Sequence, residues 1–480
     1  MKRFSRRPGA LLAIALMLAS LLGAAIAPSH ALAEDAGYSA DQPPALSSTR
    51  ALLIERETGT TLYEMGADER AYPASITKVM TALLVLENAD LDDEVTVEEH
   101  DLDEVTWDSS VADLMAGDTL TVRDLLACLL VPSGNDASYV LARYVGGGDW
   151  HAFVDMMNQR AAELGCTDTH FVNPCGLHDD NHYSTARDLV LIFEEALKYP
   201  EFVEIAGSST WDIPQTGENE ARTLENTDTL LDPESPVYMG DTIVASKTGS
   251  TYDAGRCLIS EAQRDGRTLV GVVLGAPMEE DADGVAGSFY DMRELIEWGF
   301  GAWRTGEVVR LGDVVGSVDV TLSSDGDKVD AAATTTIFAT VPADTTIDDL
   351  TLTPSWSGSI QAPVSEGREL GEVSVALGER QLGTVSAGAA EGMSLSIPAF
   401  VDWWITNNPT SVMAILAVCV VVLLVVIALV AVLRARARRR SRRQAAAPQR
   451  RAVARSVEAS RLRPPAQSRG KRGGGHGRHL

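Results

Sequence analysis

The sequence has 480 residues, of which 40 are basic and 68 acidic, so the formal net charge is −28. An apolar fraction of 45% and a charged fraction of 22% are ordinary for globular proteins and exclude a wholly disordered chain. The charge is uneven, because residues 34–410 carry 20 basic and 67 acidic side chains, whereas residues 434–480 carry 16 basic and one acidic. The acidic region should not bind nucleic acid, since a polyanion would be repelled. The length predicts two or three domains.

Residues 1–33 have the pattern of a secretory signal peptide. An apolar run covers residues 11–22, and Ala31-Leu32-Ala33 supplies a cleavage site with small side chains. Four basic residues precede the run: Lys2, Arg3, Arg6 and Arg7. The alternative is an uncleaved anchor helix, but the run is short for a membrane span, which favours cleavage.

Residues 40–305 predict an α/β (α+β) domain, in which a mixed sheet is flanked by helices. A hairpin is expected over residues 50–66, because two apolar runs flank a turn that contains Gly59. Apolar periodicity predicts helices over about residues 75–87, 121–130, 136–145, 150–164, 185–197 and 288–305. Strands are expected over residues 243–246, 256–261 and 268–274.

The first motif with chemical potential is Ser75-Ile76-Thr77-Lys78, at the start of a predicted helix. Residues three apart share one helix face, so the Lys78 amine can reach the Ser75 hydroxyl. A serine hydroxyl is a poor nucleophile without a base, a role that lysine can take when burial lowers its pKa. Serine and lysine also occur at this spacing on ordinary exposed helices, so the motif alone is ambiguous.

The second motif is Ser133-Gly134-Asn135, which falls in the break between two predicted helices, after Pro132. A hydroxyl and an amide on such a turn can face one cleft, where they would relay a proton and hold a substrate amide. Taken alone, the same three residues equally suit a turn without any function.

The third motif is Lys247-Thr248-Gly249, at the end of the strand predicted from residue 243. Gly249 leaves room for a ligand backbone beside the strand, Thr248 offers a hydroxyl to a substrate carboxylate, and Lys247 adds positive potential. The alternative interpretation is a strand that simply ends in a glycine turn.

Residues 306–397 predict a second, small all-β domain. Short alternating strands are expected over residues 315–320, 334–340, 347–352, 372–376 and 381–385, separated by glycine and aspartate turns. This region contains no cluster of catalytic residue types, which favours a spacer or an interaction module.

Residues 411–433 predict a transmembrane helix. The 22 residues 412–433 carry no charge, and as a helix they would be about 33 Å long. Trp403 and Trp404 precede this stretch, and five arginines follow it, which predicts that the acidic region lies outside the cell and the tail inside. Residues 434–480 predict a basic, disordered cytoplasmic tail that contacts anionic lipid rather than nucleic acid.

The three motifs, in this order in an exported chain, resemble those of the low-molecular-weight penicillin-binding proteins, which are serine-type D-alanyl-D-alanine carboxypeptidases. The resemblance covers about residues 47–305 and extends to the segments 169–174, 176–189 and 298–300. It implies a β-lactamase/transpeptidase-like catalytic domain, and residues 306–397 resemble the small β domain that follows in this family.

The resemblance implies a role for each residue of the three motifs. Ser75 would attack the carbonyl between the last two D-alanines of a peptidoglycan stem peptide, and Lys78 would take its proton. Ser133 would pass a proton to the leaving amine. The implied substrate-binding residues are Asn135, Lys247, Thr248, Gly249 and Ser250. β-Lactam antibiotics would be covalent inhibitors, and no metal or organic cofactor is implied.

One position departs from the family. Relatives often carry an arginine, which helps to bind the substrate carboxylate, where this chain has Ser288. Arg256 is a candidate substitute for that arginine.

Two other functions are open to the same motifs. A β-lactamase would also need a glutamate that activates the deacylating water, and residues 167–188 contain none. A penicillin-binding scaffold or sensor with weak hydrolysis is motivated by the missing arginine at Ser288.

Histidine and cysteine offer two weaker indications of further chemistry. His178 and His182 lie four residues apart, but the intervening sequence predicts a loop and a metal would need a third ligand. Cys166 and Cys175 are the one plausible disulfide pair among the exported cysteines, although buried free thiols are the favoured interpretation.

Overall fold

A computed structural model describes residues 37–217 and 219–459. The predicted signal peptide, residues 1–33, and the end of the predicted tail, residues 460–480, lie outside the described residues. The chain divides into two units. The first unit contains the residues up to Gly316, together with Ala332–Trp356 and Gly371–Ala387. The second contains Ser317–Ala331, Ser357–Leu370 and the residues from Gly388 onward.

Among the described residues before 303 there are nine strands: β1 Arg50–Glu55, β2 Thr60–Met65, β3 Glu94–Thr96, β4 Thr119–Thr121, β5 Thr210–Ile213, β6 Arg222–Glu225, β7 Ile243–Thr251, β8 Gly255–Arg264 and β9 Arg267–Ala276. Five of them form an antiparallel sheet in the order β2-β1-β9-β8-β7, and the short pairs β3–β4 and β5–β6 stand apart. Strand β7 is therefore an edge strand, with one side free for another segment of chain.

Seven α-helices accompany these strands within the described residues: α1 Lys78–Asn88, α2 Val122–Leu130, α3 Asn135–Val145, α4 Trp150–Glu163, α5 Ala186–Ala196, α6 Pro200–Ala206 and α7 Gly287–Ala302. A 3₁₀ turn, Ala74–Thr77, leads directly into α1. Helix α2 begins where the sequence predicts, because Thr121 accepts a hydrogen bond from the Asp124 N–H at 3.1 Å and caps its first turn.

The large sheet is buried on both faces. Alternate residues of a strand point to opposite sides, and β1 follows this rule. Leu52 and Ile54 belong to one apolar cluster, which includes α1, whereas Ala51 and Leu53 belong to a second cluster, which includes Trp298 of α7. Helices therefore cover the sheet on both sides, as the predicted α/β class requires.

The third motif lies inside strand β7 and not at its end, which corrects the sequence-based expectation. Lys247, Thr248 and Gly249 pair with Ile259, Leu258 and Cys257 of β8, and pairing continues to Thr251. A glycine can occupy extended backbone, and here the turn comes only after Thr251. The motif therefore runs along the free edge of the sheet, where a peptide could pair with it.

Eight strands follow α7: β10 Trp303–Val309, β11 Val314–Thr321, β12 Lys328–Ala333, β13 Ile337–Pro342, β14 Thr351–Trp356, β15 Ile360–Gln361, β16 Glu369–Leu377 and β17 Arg380–Ala389. In the first unit β10 pairs with β13 and β14 with β16, and in the second unit β11 pairs with β15. The β-rich character predicted for residues 306–397 is confirmed, but the predicted strand over residues 347–352 begins as a 3₁₀ turn, Ile347–Asp349.

The second unit ends in two helices, α8 Ile397–Asn407 and α9 Pro409–Ala459. Residues Pro409–Ser441 contain an apolar stretch long enough to cross a membrane, with a mean hydropathy of 3.7 over the most apolar window. Residues 434–459 continue α9, where the sequence predicts a disordered tail. Arginine and alanine both favour helix, so a helix established by the apolar stretch can continue into them.

Candidate active site

Ser75 lies in the 3₁₀ turn before α1, at the edge of strand β7. Ala74, in this turn, has a positive φ of 48°, which is uncommon for a residue other than glycine. Two glycines make the close packing possible: a Cβ on Gly249 would lie 2.9 Å from the Pro73 carbonyl oxygen, and one on Gly176 would lie 1.9 Å from that of Ala74. The segments that carry these glycines therefore fix the Ser75 turn from two sides.

The amine of Lys78 contacts the Ser75 hydroxyl directly. Its Nζ donates to Ser75 Oγ at 2.8 Å, to Asn135 Oδ1 at 2.7 Å and to the Cys175 carbonyl at 3.0 Å. The side chain is fully buried, and burial lowers the pKa of Lys78 to about 8 although the nearby Cys175 and Asp136 oppose that shift. A neutral amine at this distance can accept the hydroxyl proton of Ser75.

The carbonyl that contacts Lys78 belongs to a loop over residues 173–177. Asn173 holds the loop, because its Oδ1 accepts the N–H groups of Cys175 at 3.2 Å and Gly176 at 2.7 Å. Thr81 of α1 also donates to the Pro174 carbonyl at 2.6 Å. Sequence analysis missed this contribution to the site, since the residue types predict a turn but not which carbonyl faces the lysine.

Ser133 lies in the short connection between α2 and α3 and is held in a strained conformation. Its φ is +63°, and its buried Oγ has no hydrogen-bond partner among the described residues. Gly134 is required beside it, because a Cβ there would lie 2.6 Å from Asp136 Oδ1 and 2.7 Å from the Cys128 carbonyl. A strained, unpartnered hydroxyl that lines a cleft is available to a substrate.

Asn135, the first residue of α3, joins Lys78 to the wall of the cleft. Its Oδ1 accepts from Lys78, and its Nδ2 donates to Ser109 Oγ at 2.9 Å. An amide nitrogen carries two protons, so one donor remains for a ligand. The predicted contact with a substrate amide is compatible with this geometry, and Ser109 is a further neighbour that the sequence did not reveal.

The third motif contacts the segment that follows strand β6. Thr248 Oγ1 lies 2.5 Å from Thr227 Oγ1, and Lys247 Nζ donates to the Thr248 carbonyl at 3.2 Å. Lys247 is 1% exposed, and its burial and the neighbouring Lys78 both lower its pKa. A bound carboxylate would oppose that shift and favour the charged amine.

Asp228 is a buried carboxyl group next to this motif that sequence analysis did not single out. It is 1% exposed, and its Oδ1 accepts the Leu230 N–H at 2.8 Å. Burial raises the pKa of Asp228 to about 6, and hydrogen bonds from Ser246 and the Leu230 N–H, together with the nearby Lys247, limit that rise. Asp228 thus supplies negative charge behind the lysine of the third motif.

The motifs meet at a cleft of about 200 Å³. Its lining includes Ser75, Ser110, Ser133, Thr227, Thr229, Thr248, Gly249, Ser250, Arg256, Cys257, Glu280, Gly284, Ser288 and Phe289. The buried Ser288 contributes no charge, whereas the guanidinium of Arg256 is present and is paired with Glu280. All three predicted motifs therefore contribute to one cavity.

The histidine and cysteine candidates have other roles in the first unit. His182 is buried beside the Thr77 hydroxyl, 2.8 Å away, and burial lowers the pKa of His182 to about 3, whereas His178 packs against Tyr72 and faces Asp253. Cys166 and Cys175 are buried free thiols. The disulfide considered for this pair is therefore absent from the structure.

Fold and site together define an active-site-serine enzyme of the transpeptidase-like class. The family profile described as D-alanyl-D-alanine carboxypeptidase matches residues 37–278, and the profile described as Penicillin-binding protein 5, C-terminal domain, matches residues 303–394. The chain belongs to the D-alanyl-D-alanine carboxypeptidase family. The resemblance, the fold class and the class of enzyme predicted from the sequence are thereby confirmed.

Individual relatives span most of the chain. It is 30% identical over 328 residues to the D-alanyl-D-alanine carboxypeptidase DacF of Bacillus subtilis, which covers 67% of this chain and 79% of that protein. It is 31% identical over 351 residues to the D-alanyl-D-alanine carboxypeptidase DacD of Escherichia coli, and the match covers 69% of this chain and 83% of that protein. The solved structure of penicillin binding protein 5 from Haemophilus influenzae matches with a TM-score of 0.54 and 26% identity, over 74% of this chain and 99% of that one.

Proposed function

We propose that this protein removes the terminal D-alanine from peptidoglycan pentapeptides through an acyl-enzyme on Ser75. The observation that carries the proposal is the 2.8 Å contact between Ser75 Oγ and the buried amine of Lys78. Family membership supports the substrate class, and the missing glutamate in residues 167–188 disfavours a β-lactamase.

In the acylation step, neutral Lys78 takes the proton of Ser75 as the hydroxyl attacks the carbonyl between the two D-alanines. The oxyanion that forms accepts hydrogen bonds from the backbone N–H groups of Ser75 and Ser250, which both line the cleft. Preorganised donors of this kind stabilise the transition state more than the substrate, and so accelerate the reaction.

Collapse of the tetrahedral intermediate requires a proton on the departing amine of D-alanine. Ser133 passes to this amine the proton that Lys78 took from Ser75, because its buried hydroxyl has no other partner among the described residues and lies in the same cleft. Water then attacks the acyl-enzyme and gives its proton to Lys78, which returns it to Ser75 Oγ as the ester bond breaks and the shortened peptide leaves. The reaction involves only nucleophilic attack and proton transfer, and it returns Lys78 and Ser133 to their starting protonation states.

Substrate binding uses the free edge of strand β7. Thr248 donates its hydroxyl to the terminal carboxylate, and Lys247 supplies the positive charge beneath it. Gly249 leaves room for the peptide backbone, and Asn135 donates its remaining amide proton to the substrate amide. The same contacts suit a β-lactam, whose carboxylate and strained amide resemble the peptide terminus.

The proposal is tested with the full chain in detergent and a pentapeptide that ends in D-alanyl-D-alanine. We expect release of free D-alanine by the wild type and none above background by Ser75→Ala. Labelling by fluorescent penicillin should follow the same pattern. A wild type that is labelled but releases no D-alanine would instead support the scaffold or sensor, whose function is binding alone.

We also propose that α9 anchors the enzyme in the cell membrane as a single span, with the catalytic domain outside and the arginine-rich tail in the cytoplasm, where it contacts anionic lipid. The uncharged stretch 412–433 and the five arginines within residues 434–440 that follow it support this topology. An impermeant maleimide applied to intact cells in a Cys419→Ala background should label Asp241→Cys and not Ser441→Cys. The reverse pattern would contradict the orientation.

A further inference from the structure

One ion pair faces the catalytic cleft. Arg256 Nη2 donates to Glu280 Oε1 at 2.5 Å, and both residues line the cleft with Ser75, Thr248 and Ser250. The side chains of Arg256 and Glu280 are 29% and 45% exposed. The pair therefore lies at the solvent edge of the cavity in which the substrate terminus is expected.

Glu280 is held in this place by its loop, residues 277–286. Met278 of the loop accepts a weak hydrogen bond from Ser250 Oγ at 3.6 Å. Asp281 accepts from the Tyr290 hydroxyl at 2.6 Å and from the Val285 N–H at 2.9 Å. The loop is thus hydrogen-bonded both to the cleft and to helix α7. These bonds hold Glu280 in contact with Arg256.

Arg256 is well placed to reach a ligand on strand β7. It lies directly opposite Ser250 in the β7–β8 pairing, and its Nε is buried with no partner among the described residues. The first turn of α7 presents Ser288 and Phe289, which are both uncharged, to the same cavity. Within the described cleft lining, Arg256 is the one guanidinium that can bind a carboxylate through two parallel hydrogen bonds.

We propose that Arg256 binds the terminal carboxylate of the substrate and that Glu280 is an internal competitor, which occupies Arg256 while the cleft is empty. The inference rests on the proposed function, which supplies the carboxylate ligand. An exposed ion pair contributes little net stability, so a substrate carboxylate can displace Glu280 at small cost. Glu280 therefore weakens binding of the terminal carboxylate and leaves a ligand without a carboxylate unaffected.

The test compares steady-state hydrolysis of the last peptide bond by the full chain in two peptides. One ends in D-alanyl-D-alanine and releases D-alanine, and the other ends in the corresponding amide and releases D-alaninamide. We expect Glu280→Gln to lower KM for the acid by about threefold, with little effect on the amide. Arg256→Gln should raise KM for the acid by about tenfold and leave the amide unchanged. Asp283→Asn, which removes an exposed charge from the same loop, is the matched control and should resemble the wild type.

The double variant separates competition from a general effect of charge. If Glu280 acts through Arg256 alone, Arg256→Gln with Glu280→Gln should have the same KM as Arg256→Gln by itself. The inference would be overturned if Glu280→Gln lowered KM for the acid equally in the wild-type and Arg256→Gln backgrounds. It would also be overturned if Arg256→Gln raised KM equally for the acid and the amide. A wild type that hydrolyses neither peptide would refute the proposed function instead.

Discussion

At the scale of single residues, the charge of Lys78 decides whether Ser75 can be activated. Burial brings the pKa of Lys78 to about 8, and only the neutral amine can accept a proton. We therefore expect the rate of acylation by penicillin to rise about tenfold per pH unit below pH 8 and to level off above it. Measurements between about pH 6 and pH 9 with fluorescent penicillin test this. A flat profile across that range would exclude Lys78 as the base.

Lys78→Arg separates the base from the hydrogen-bond donor. Arginine keeps positive charge near Ser75 but stays protonated at every accessible pH. We expect acylation to fall by about 10²- to 10⁴-fold, with no recovery at high pH. Thermal unfolding of the same variant, compared with the wild type, shows whether the loss has a structural origin.

Asp228 gives a prediction about stability. Its pKa is raised to about 6, so the folded chain binds this proton more tightly than the unfolded chain, and the wild type should lose stability as pH rises from about 4 to 6. Asp228→Asn removes that titration and should flatten the dependence of Tm on pH in this window. The exposed Glu234→Gln is the control, and identical profiles for Asp228→Asn and wild type would contradict the assignment.

At the scale of secondary-structure elements, the close approach of strand β7 to the Ser75 turn depends on Gly249. A Cβ there would lie 2.9 Å from the Pro73 carbonyl and 3.3 Å from both Ala74 Cβ and Ile76 Cγ1. Gly249→Ala should push the strand outward and slow acylation by about 100-fold while the β7–β8 pairing keeps the fold intact. Gly306→Ala, which meets nothing within 4 Å, is the control. Equal acylation rates in the two variants would show that the contact is not required.

The elements also show what the sequence could and could not predict. Apolar periodicity and capping predicted helix α2, and residue type and spacing identified the three motifs. Both signals depend only on residues that are near one another in the chain. The sequence placed Gly249 at the end of its strand and explained it by room for a ligand, whereas the structure also shows close packing against Pro73, which is distant in sequence. The Cys175 carbonyl and the Thr227 hydroxyl were missed for the same reason: any residue has a carbonyl, and only the tertiary fold brings these groups to Lys78 and Thr248.

At the scale of the whole molecule, the negative net charge of the acidic region repels the anionic substrate and so opposes its binding. Residues 34–410 carry 67 acidic and 20 basic side chains, and the peptide terminus is itself an anion. The positive groups of the site act on the carboxylate inside the cleft, where salt screens charges little. The surface charge acts through solvent over the Debye length, about 10 Å at 0.1 M salt and about 3 Å at 1 M. Added salt should therefore screen the long-range repulsion more than the local attraction.

We expect KM for an anionic pentapeptide to fall as monovalent salt rises from about 0.02 M to about 0.5 M, with kcat nearly constant. A peptide with the same D-alanyl-D-alanine terminus but added lysines that bring its net charge to zero should show little change. The comparison isolates the long-range field, because both peptides offer the same carboxylate to the proposed contacts with Thr248 and Lys247. A KM that rises with salt for both peptides would mean that the local positive charge of the cleft, and not the acidic surface, governs how the substrate is captured.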